Sequence, residues 1–190
     1  MLFKDYFISQ RWPSANPIDS NLWFENMRLH GLDYFQQMPA NFTVLDIGCA
    51  EGFVSSKFGE WGAKTVHGID HSSERIDEAK KLTSDTTTFE FTNYYLTSQE
   101  SFTFNDTTYT GGTDTFVYDN EWLLDEYDIV LMMSSFHTFD QKVMDLLLTL
   151  TKTYFVYRGE AANEYKEYLL QNGFQVVLDD DLCPNKIFKK

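Results

Sequence analysis

A glycine loop between two acidic residues is the part of this sequence best suited to bind a ligand. Asp46 lies in the apolar run that precedes the loop, Gly48 and Gly52 lie within it, and Asp70 closes the next apolar run. A strand that enters a glycine turn and leaves as a helix aims backbone N–H groups at whatever lies over the helix N-terminus. In nucleotide-binding α/β folds, an acid about 20 residues beyond the glycines accepts hydrogen bonds from both ribose hydroxyls.

The spacing Asp46-x-Gly48-x-Ala50-x-Gly52 resembles the first motif of class I S-adenosylmethionine-dependent methyltransferases, with alanine at the middle glycine. It differs from the dinucleotide motif G-x-G-x-x-G, which has another spacing and no acid placed before its first glycine. The resemblance implies that Asp46 and the backbone of residues 48–52, Cys49 included, bind the methionine end of S-adenosylmethionine. It also implies that Asp70 holds the ribose and that the product is S-adenosylhomocysteine. The alternative is an ordinary strand–turn–helix with a surface Asp70.

The resemblance extends to residues at the ends of three further strands. His71 would flank the adenine, or else it is a solvated residue at a helix start. Family members contact the adenine amino group with a residue just past the third strand, and Asn93 is the polar candidate here. Ser134 follows the predicted fourth strand and is expected beside the cofactor. His137, three residues later, is the candidate general base because histidine titrates near neutral pH, although similar histidines of the family often have a structural role.

The order of apolar runs predicts an α/β fold: a three-layer α-β-α sandwich with a seven-stranded, mostly parallel sheet whose last strand is antiparallel. Residues 1–190 are expected to form a single class I methyltransferase domain. The predicted strands are Val44–Ile47, Thr65–Ile69, Thr86–Leu96, Tyr127–Met133, Thr153–Tyr157, Phe174–Leu178 and Lys186–Phe188. The predicted helices are residues 20–37, a helix opened by Gly52, Ser73–Thr83, a helix beginning at Asp140 and Ala161–Gln171.

Two segments depart from a plain alternation of strands and helices. Residues 1–40 are predicted to form an N-terminal helical segment that lies across the cofactor as a lid, or packs on the core. Residues 97–121 carry alternating runs at 101–104 and 115–118 on either side of Gly111-Gly112, a pattern typical of an inserted β-hairpin.

Composition narrows the function classes. The formal charge of −14 opposes binding to long phosphate backbones, although the 15 Lys and Arg residues could cluster on one face. Two cysteines give neither a disulfide framework nor a zinc spacing, and we expect no metal site. No apolar run approaches the length of a membrane span, and the start is too polar for a signal peptide, so a cytoplasmic protein is predicted.

The end of the fourth strand narrows the reaction further. The run Ser134-Ser135-Phe136-His137 lacks the Asn/Asp-Pro-Pro-aromatic motif of nucleic-acid amino methylases, and no Pro-Cys pair is present for C5-cytosine methylation. We therefore expect methyl transfer to O or N of a small molecule by a monomer or homodimer. The alternatives are an enzyme that modifies tRNA or another RNA, and a cofactor-binding, non-catalytic partner subunit.

Overall fold

A seven-stranded sheet organises the fold. The computed structural model describes residues 28–98, 101–104, 107–110, 112–133, 140–158, 162–179 and 185–190. Within these residues the strands are β1 (Thr43–Ile47), β2 (Thr65–Asp70), β3 (Thr88–Asn93), β4 (Ser101–Phe104), β5 (Thr107–Thr110), β6 (Tyr127–Met133), β7 (Thr151–Arg158), β8 (Gln175–Leu178) and β9 (Lys186–Lys189). The sheet order is β3-β2-β1-β6-β7-β9-β8, and β9 runs antiparallel to both of its neighbours, while the other pairs are parallel. The predicted sheet is confirmed.

Helices cover both faces of this sheet, which confirms the three-layer arrangement. They are a 3-10 helix (Leu32–Gln37), α1 (Phe53–Glu60), α2 (Ser73–Ala79), α3 (Thr113–Asp119), α4 (Gln141–Leu150) and α5 (Ala162–Gln171). One buried cluster joins the 3-10 helix and α1 to one face through Phe35, Phe58 and Val156. A second cluster joins α3, α4 and α5 to the other face. The central strands are apolar on both faces because each face is covered.

The predicted hairpin exists, but its second strand was assigned to the wrong residues. β4 pairs antiparallel with β5, so the turn lies between residues 104 and 107 rather than at the two glycines. Residues 115–118, predicted as the second strand, lie in α3, and Phe116 is fully buried against the main core. Alternation over a four-residue stretch did not distinguish a strand from one helical turn with a single buried residue.

The predicted helix over residues 20–37 is wrong in the part that the structure describes. Residues 28 and 29 are helical, but Gly31 has φ of 80°, and a 3-10 helix follows. A left-handed residue cannot continue an α-helix, so the chain turns here and inserts Leu32 and Phe35 into the core. Two further predicted elements are shorter in the structure. The predicted helix at 73–83 is α2 (Ser73–Ala79), and the predicted strand at 86–96 is β3 (Thr88–Asn93).

The parallel strands bring their carboxyl ends to one edge of the sheet. Along this edge stand Asn93, Asp70, the loop after β1, Met133 and Arg158, in that order. The chain winds outward in opposite directions from β1 and from β6, and ligands of open α/β sheets bind beyond the strand ends at such a switch point. The fold therefore places the glycine loop where a ligand is expected.

Candidate functional site

Asp46 is a buried carboxylate that lines a cleft beside the glycine loop. It is 2% exposed, and its Oδ2 accepts a hydrogen bond of 2.7 Å from the hydroxyl of Ser55 on α1. Burial raises the pKa of Asp46 to about 6, with a smaller increase from the charge of Asp70, while the Ser55 hydroxyl and the Arg28 charge act in the opposite direction. The protein thus holds a costly negative charge at this point, and a positively charged ligand group would relieve that cost.

Asp70 connects the glycine loop to the start of α2 through hydrogen bonds. Its Oδ2 accepts from the backbone N–H of Ala50 at 3.1 Å, and its Oδ1 accepts from the N–H of Ser72 at 2.9 Å. His71 Nδ1 and Arg75 Nη1 lie 3.4 Å and 3.9 Å from Oδ1. Each carboxylate oxygen has two lone pairs, so these contacts leave acceptor capacity for a hydroxyl. Asp70 therefore has a structural role that the sequence analysis did not foresee.

The backbone N–H groups of the loop are mostly bonded within the protein. Gly48 and Cys49 both donate to the carbonyl of Ile69, at 2.8 Å and 3.0 Å, and Gly52 donates to Cys49 at 2.9 Å. Together with the bond from Ala50 to Asp70, these contacts attach the loop to the end of β2. The strand–turn–helix pattern predicts N–H groups aimed at a ligand, whereas these four donate within the protein and hold the shape of the loop.

Two residues of the loop adopt left-handed backbone conformations for different reasons. Ala50 has φ of 51°, a conformation that costs a residue with a Cβ about 1–2 kcal/mol. Gly52 has φ of 77°, and a Cβ there would lie 2.7 Å from Leu82 Cδ1 and 3.3 Å from Ala79 Cβ. Gly52 is thus required by the packing of α1 against α2. Ala50, which departs from the family motif, therefore occupies a strained position of the loop, and the fold tolerates its Cβ there.

The remaining described residues of the predicted site border the loop. The Cys49 side chain is buried among Ile76, Ala79 and Phe91, and burial raises the pKa of its thiol. His71 is 40% exposed, and its ring packs edge-on against that of Tyr95. Asn93 is exposed and donates from Nδ2 to the carbonyl of Asp70 at 3.0 Å. His71 and Asn93 therefore stand beside Asp70, as predicted from their positions at the strand ends.

Arg28 belongs to the site and was missed in the sequence. It lines a cleft with an empty volume of about 340 Å³, including space open to solvent, whose other lining residues are Asp46, Gly48, Cys49, Ala50, Glu51, Phe53, Val54 and Met133. The pKa of Arg28 is lowered to about 9, mainly by burial and less by the charge of Arg158, while the charges of Asp46 and Glu51 act in the opposite direction. The guanidinium thus remains charged at neutral pH. Its sequence neighbours form no motif, so no local signal marked it.

Two predicted site residues, Ser134 and His137, lie outside the described residues, as does the part of the predicted lid before residue 28. The flanking positions are described. Met133, the last residue of β6, lines the cleft, and Asp140 caps α4 by accepting from the N–H of Val143 at 3.2 Å. Asp140 also accepts from the N–H of Ser98, which joins the segment after β3 to the start of α4.

Comparison with known proteins agrees with this geometry. Residues 44–118 match a family model described as a methyltransferase domain. Magnesium protoporphyrin IX methyltransferase of Synechocystis PCC 6803, solved with bound S-adenosylmethionine, shares the fold with a TM-score of 0.59 and 16% identity, over 98% of this chain and 93% of that one. The chain thus resembles a methyltransferase domain over residues 44–118 and shares the fold of a class I, Rossmann-like methyltransferase. The resemblance predicted from the loop and from Asp70 is confirmed, and S-adenosylmethionine is the cofactor of that superfamily.

Other structural relatives are described with a different acceptor or with none. The ribosomal protein L11 methylase of Lactobacillus delbrueckii subsp. bulgaricus has a TM-score of 0.56 at 16% identity, over 87% of this chain and 77% of that one. An S-adenosylmethionine-dependent methyltransferase of Mesorhizobium loti has a TM-score of 0.56 at 12% identity, over 84% and 96%. No curated protein matches the sequence. Within the part of the chain that the structure describes, no helix combines the length and apolarity that crossing a bilayer requires.

Proposed function

We propose that this chain transfers a methyl group from S-adenosylmethionine to O or N of a small-molecule acceptor. The observation that carries the proposal is the cleft over the glycine loop, which has the buried carboxylate of Asp46 and the buried guanidinium of Arg28 at its walls. The superfamily supplies the reaction type, and these two charges supply the match to the cofactor.

The donor set fits the cofactor chemically. Its amino and sulfonium groups are cations, which suit Asp46, and its carboxylate is an anion, which suits Arg28. Asp70, with acceptor capacity left after its two backbone contacts, would hold the ribose hydroxyls, and His71 and Asn93 would border the adenine. Arg28, within the segment 1–40, lines the cleft, which supports a lid role for that segment.

The bound cofactor would supply a methyl group on a cationic sulfur, already activated for displacement. A lone pair of the acceptor forms the new bond to the methyl carbon, while the S–C bond breaks and its electrons remain on sulfur. The proton that an O–H or N–H acceptor loses passes to water or to a base. The protein mainly has to align the acceptor and exclude water, and alignment can supply about 7–11 kcal/mol.

His137 is our proposed base, because it follows β6 by four residues and Met133, the end of that strand, lines the cleft. We predict that His137→Ala lowers kcat by about 10²–10⁴-fold, the usual contribution of a general base, and leaves the affinity for S-adenosylhomocysteine unchanged. Single-turnover rates with labelled cofactor measure the first quantity, and calorimetry measures the second. An unchanged rate would remove His137 from the mechanism.

A small acceptor is favoured over RNA by charge. The chain carries −14, and the residues at the cleft include two acids, Asp46 and Glu51. A polyanion would be repelled by such a surface unless a basic stripe existed for its backbone.

Calorimetric titration with S-adenosylhomocysteine tests cofactor binding, and we expect affinity in the micromolar range or better. Incubation with methyl-labelled S-adenosylmethionine and fractionated cell extract then tests transfer, and we expect label in the small-molecule fraction. Label in RNA or protein would replace the proposed acceptor class. Binding without transfer to any fraction would support the non-catalytic partner subunit, and absence of binding would refute the proposal altogether.

A further inference from the structure

Arg158 stands at the carboxyl end of β7, next to the end of β6 that borders the cleft. It is the last residue of β7 and pairs in register with Met133, which lines the cleft from the neighbouring strand. Side chains alternate along a strand, so Arg158 shares the sheet face of Val156. Val156 and Met133 belong to the buried cluster on that face, the face on which Asp46 meets Ser55 of α1. Arg158 is itself half-buried.

Hydrogen bonds to backbone carbonyls hold the chain at Arg28 close to the end of β7. The side-chain amide of Asn185 donates to the carbonyls of Arg28 and His30, at 3.1 Å and 2.7 Å, and Asn185 is fully buried. Tyr157 pairs antiparallel with Lys186, so Asn185 occupies the next position of that ladder, beside Arg158. The chain at residue 28 is therefore fixed next to the end of β7. The electrostatic effect of Arg158 on Arg28 agrees with this placement.

Further cations follow along the same end of the sheet. Lys186 Nζ lies 3.1 Å from Asp179 Oδ1, and Lys166 Nζ lies 2.5 Å from Asp179 Oδ2. Lys186 pairs in register with Tyr157, so it lies with Lys166 on the α5 face of the sheet, opposite to the face of Arg158. On the face of the cleft, the charges of Arg28 and Arg158 repel each other, and an anion bound at Arg158 would offset this cost.

We propose that the methyl acceptor is a small molecule bearing an oxyanion, a carboxylate or a phosphate monoester, and that Arg158 binds this group, beside the Arg28 that would hold the carboxylate of the cofactor. A guanidinium presents several N–H donors in a fixed fork that matches such oxyanions, so contacts within the protein still leave donors for a ligand. Binding the oxyanion at the end of β7 would hold the acceptor next to the strand end that Met133 occupies. This inference rests on the proposed function and names the substrate class of that site.

The test uses protein saturated with S-adenosylhomocysteine and ligand-observed NMR. The probes are 3-hydroxybenzoate and 3-aminobenzoate, their amides 3-hydroxybenzamide and 3-aminobenzamide, and phenyl phosphate. The proteins are the natural sequence, Arg158→Gln, Arg158→Lys, and the control Lys64→Gln. Lys64 is an exposed cation before β2, at the opposite edge of the sheet, so its replacement removes the same net charge away from the cleft.

We expect the anionic probes to bind at least tenfold more tightly than the amides. Arg158→Gln should weaken the anions about 10–100-fold, as for loss of charge-assisted hydrogen bonds, Arg158→Lys less, and Lys64→Gln not at all. Equal binding of acids and amides, or anion binding that persists in Arg158→Gln, would overturn the inference.

A titration with S-adenosylhomocysteine separates this inference from the proposed function. If the natural sequence does not bind it, the proposed function fails. If the natural sequence binds S-adenosylhomocysteine and Arg158→Gln does not, Arg158 binds the cofactor and the acceptor proposal is wrong. With binding equal in both proteins, the result for the anionic probes decides the inference alone.

Discussion

The two halves of the functional edge of the sheet carry opposite charges. The half formed by β1, β2 and β3 presents Asp46 and Asp70, both buried, around the loop that binds the cofactor in our proposal. The half formed by β7, β8 and β9 presents Arg158 on the face of the cleft and Lys186 on the other face. Arg28 stands where the halves meet. A cationic methyl donor would bind the acidic half and an anionic acceptor the basic half, and the opposite charges would fix the orientation of both ligands.

The difference also shows in how each half is built. Asp70 is held by two backbone N–H groups, and its half depends on a short loop with left-handed residues. The cationic half depends on long side chains, with Arg158 at the end of β7 and Asp179 shared between Lys186 of β9 and Lys166 of α5. The acidic half should therefore respond to mutation through folding as well as binding, and the basic half mainly through binding.

Asp70→Ala should have the largest effect. The N–H groups of Ala50 and Ser72 lose their acceptor, so we expect the free energy of unfolding to fall by about 2–4 kcal/mol, measured by urea denaturation. Affinity for S-adenosylhomocysteine should fall by about 1.5–3 kcal/mol, measured by calorimetry.

Asp179→Ala is the matched control for Asp70→Ala, since it removes a carboxylate from the basic half. It should leave the affinity for S-adenosylhomocysteine unchanged. Equal losses of affinity in the two variants would contradict the division of the edge into halves, and unchanged affinity in Asp70→Ala would exclude the ribose contact.

Gly52→Ala tests whether packing sets the loop geometry. The new Cβ would meet Leu82 and Ala79 at a residue with φ of 77°, so we expect a loss of about 1–3 kcal/mol of stability. The paired change Ala50→Gly should stabilise the protein by about 1 kcal/mol, because it removes a Cβ from a left-handed conformation without a contact to lose. Thermal unfolding of both variants checks the expectation. Effects of the same sign would show that the loop is not held as described.

The pH dependence of Asp46 gives the smallest effect. Its pKa is raised to about 6, above its ordinary value of 3.8, so the folded state binds a proton that the unfolded state has lost between these pH values. The resulting stabilisation is complete below the unfolded pKa and is lost as the pH rises through about 6. Between pH 5 and pH 8 this amounts to about 1 kcal/mol.

Asp46→Asn should abolish that pH-dependent contribution, measured as the difference in unfolding free energy between natural sequence and variant at the two pH values. The amide keeps an acceptor for Ser55, so gross packing is preserved. The variant should also bind S-adenosylhomocysteine more weakly at pH 8, because the ligand's amino group loses an anionic partner. If the unfolding free energies of both proteins change equally between the two pH values, a group other than Asp46 is titrating.

The sequence by itself determined the sheet and the acidic half of the edge. Both depend on local signals: apolar runs of strand length, a glycine loop, and an acid closing the next strand, which need no knowledge of distant residues. The seven-stranded sheet with its antiparallel last strand and the resemblance to the superfamily followed from these and are confirmed. The position of the 97–121 hairpin was only partly predicted, because four residues of alternation suit a strand and a helical turn equally well.

Only the tertiary structure decided the rest of the site. Arg28 lies 130 residues from Arg158 in the chain, and the buried amide of Asn185 joins them through backbone contacts that no local pattern encodes. The structural task of Asp70 is likewise visible only once the loop folds back onto β2. A motif specifies what a short segment can bind, whereas the charge of a cleft depends on which strand ends the sheet order places side by side.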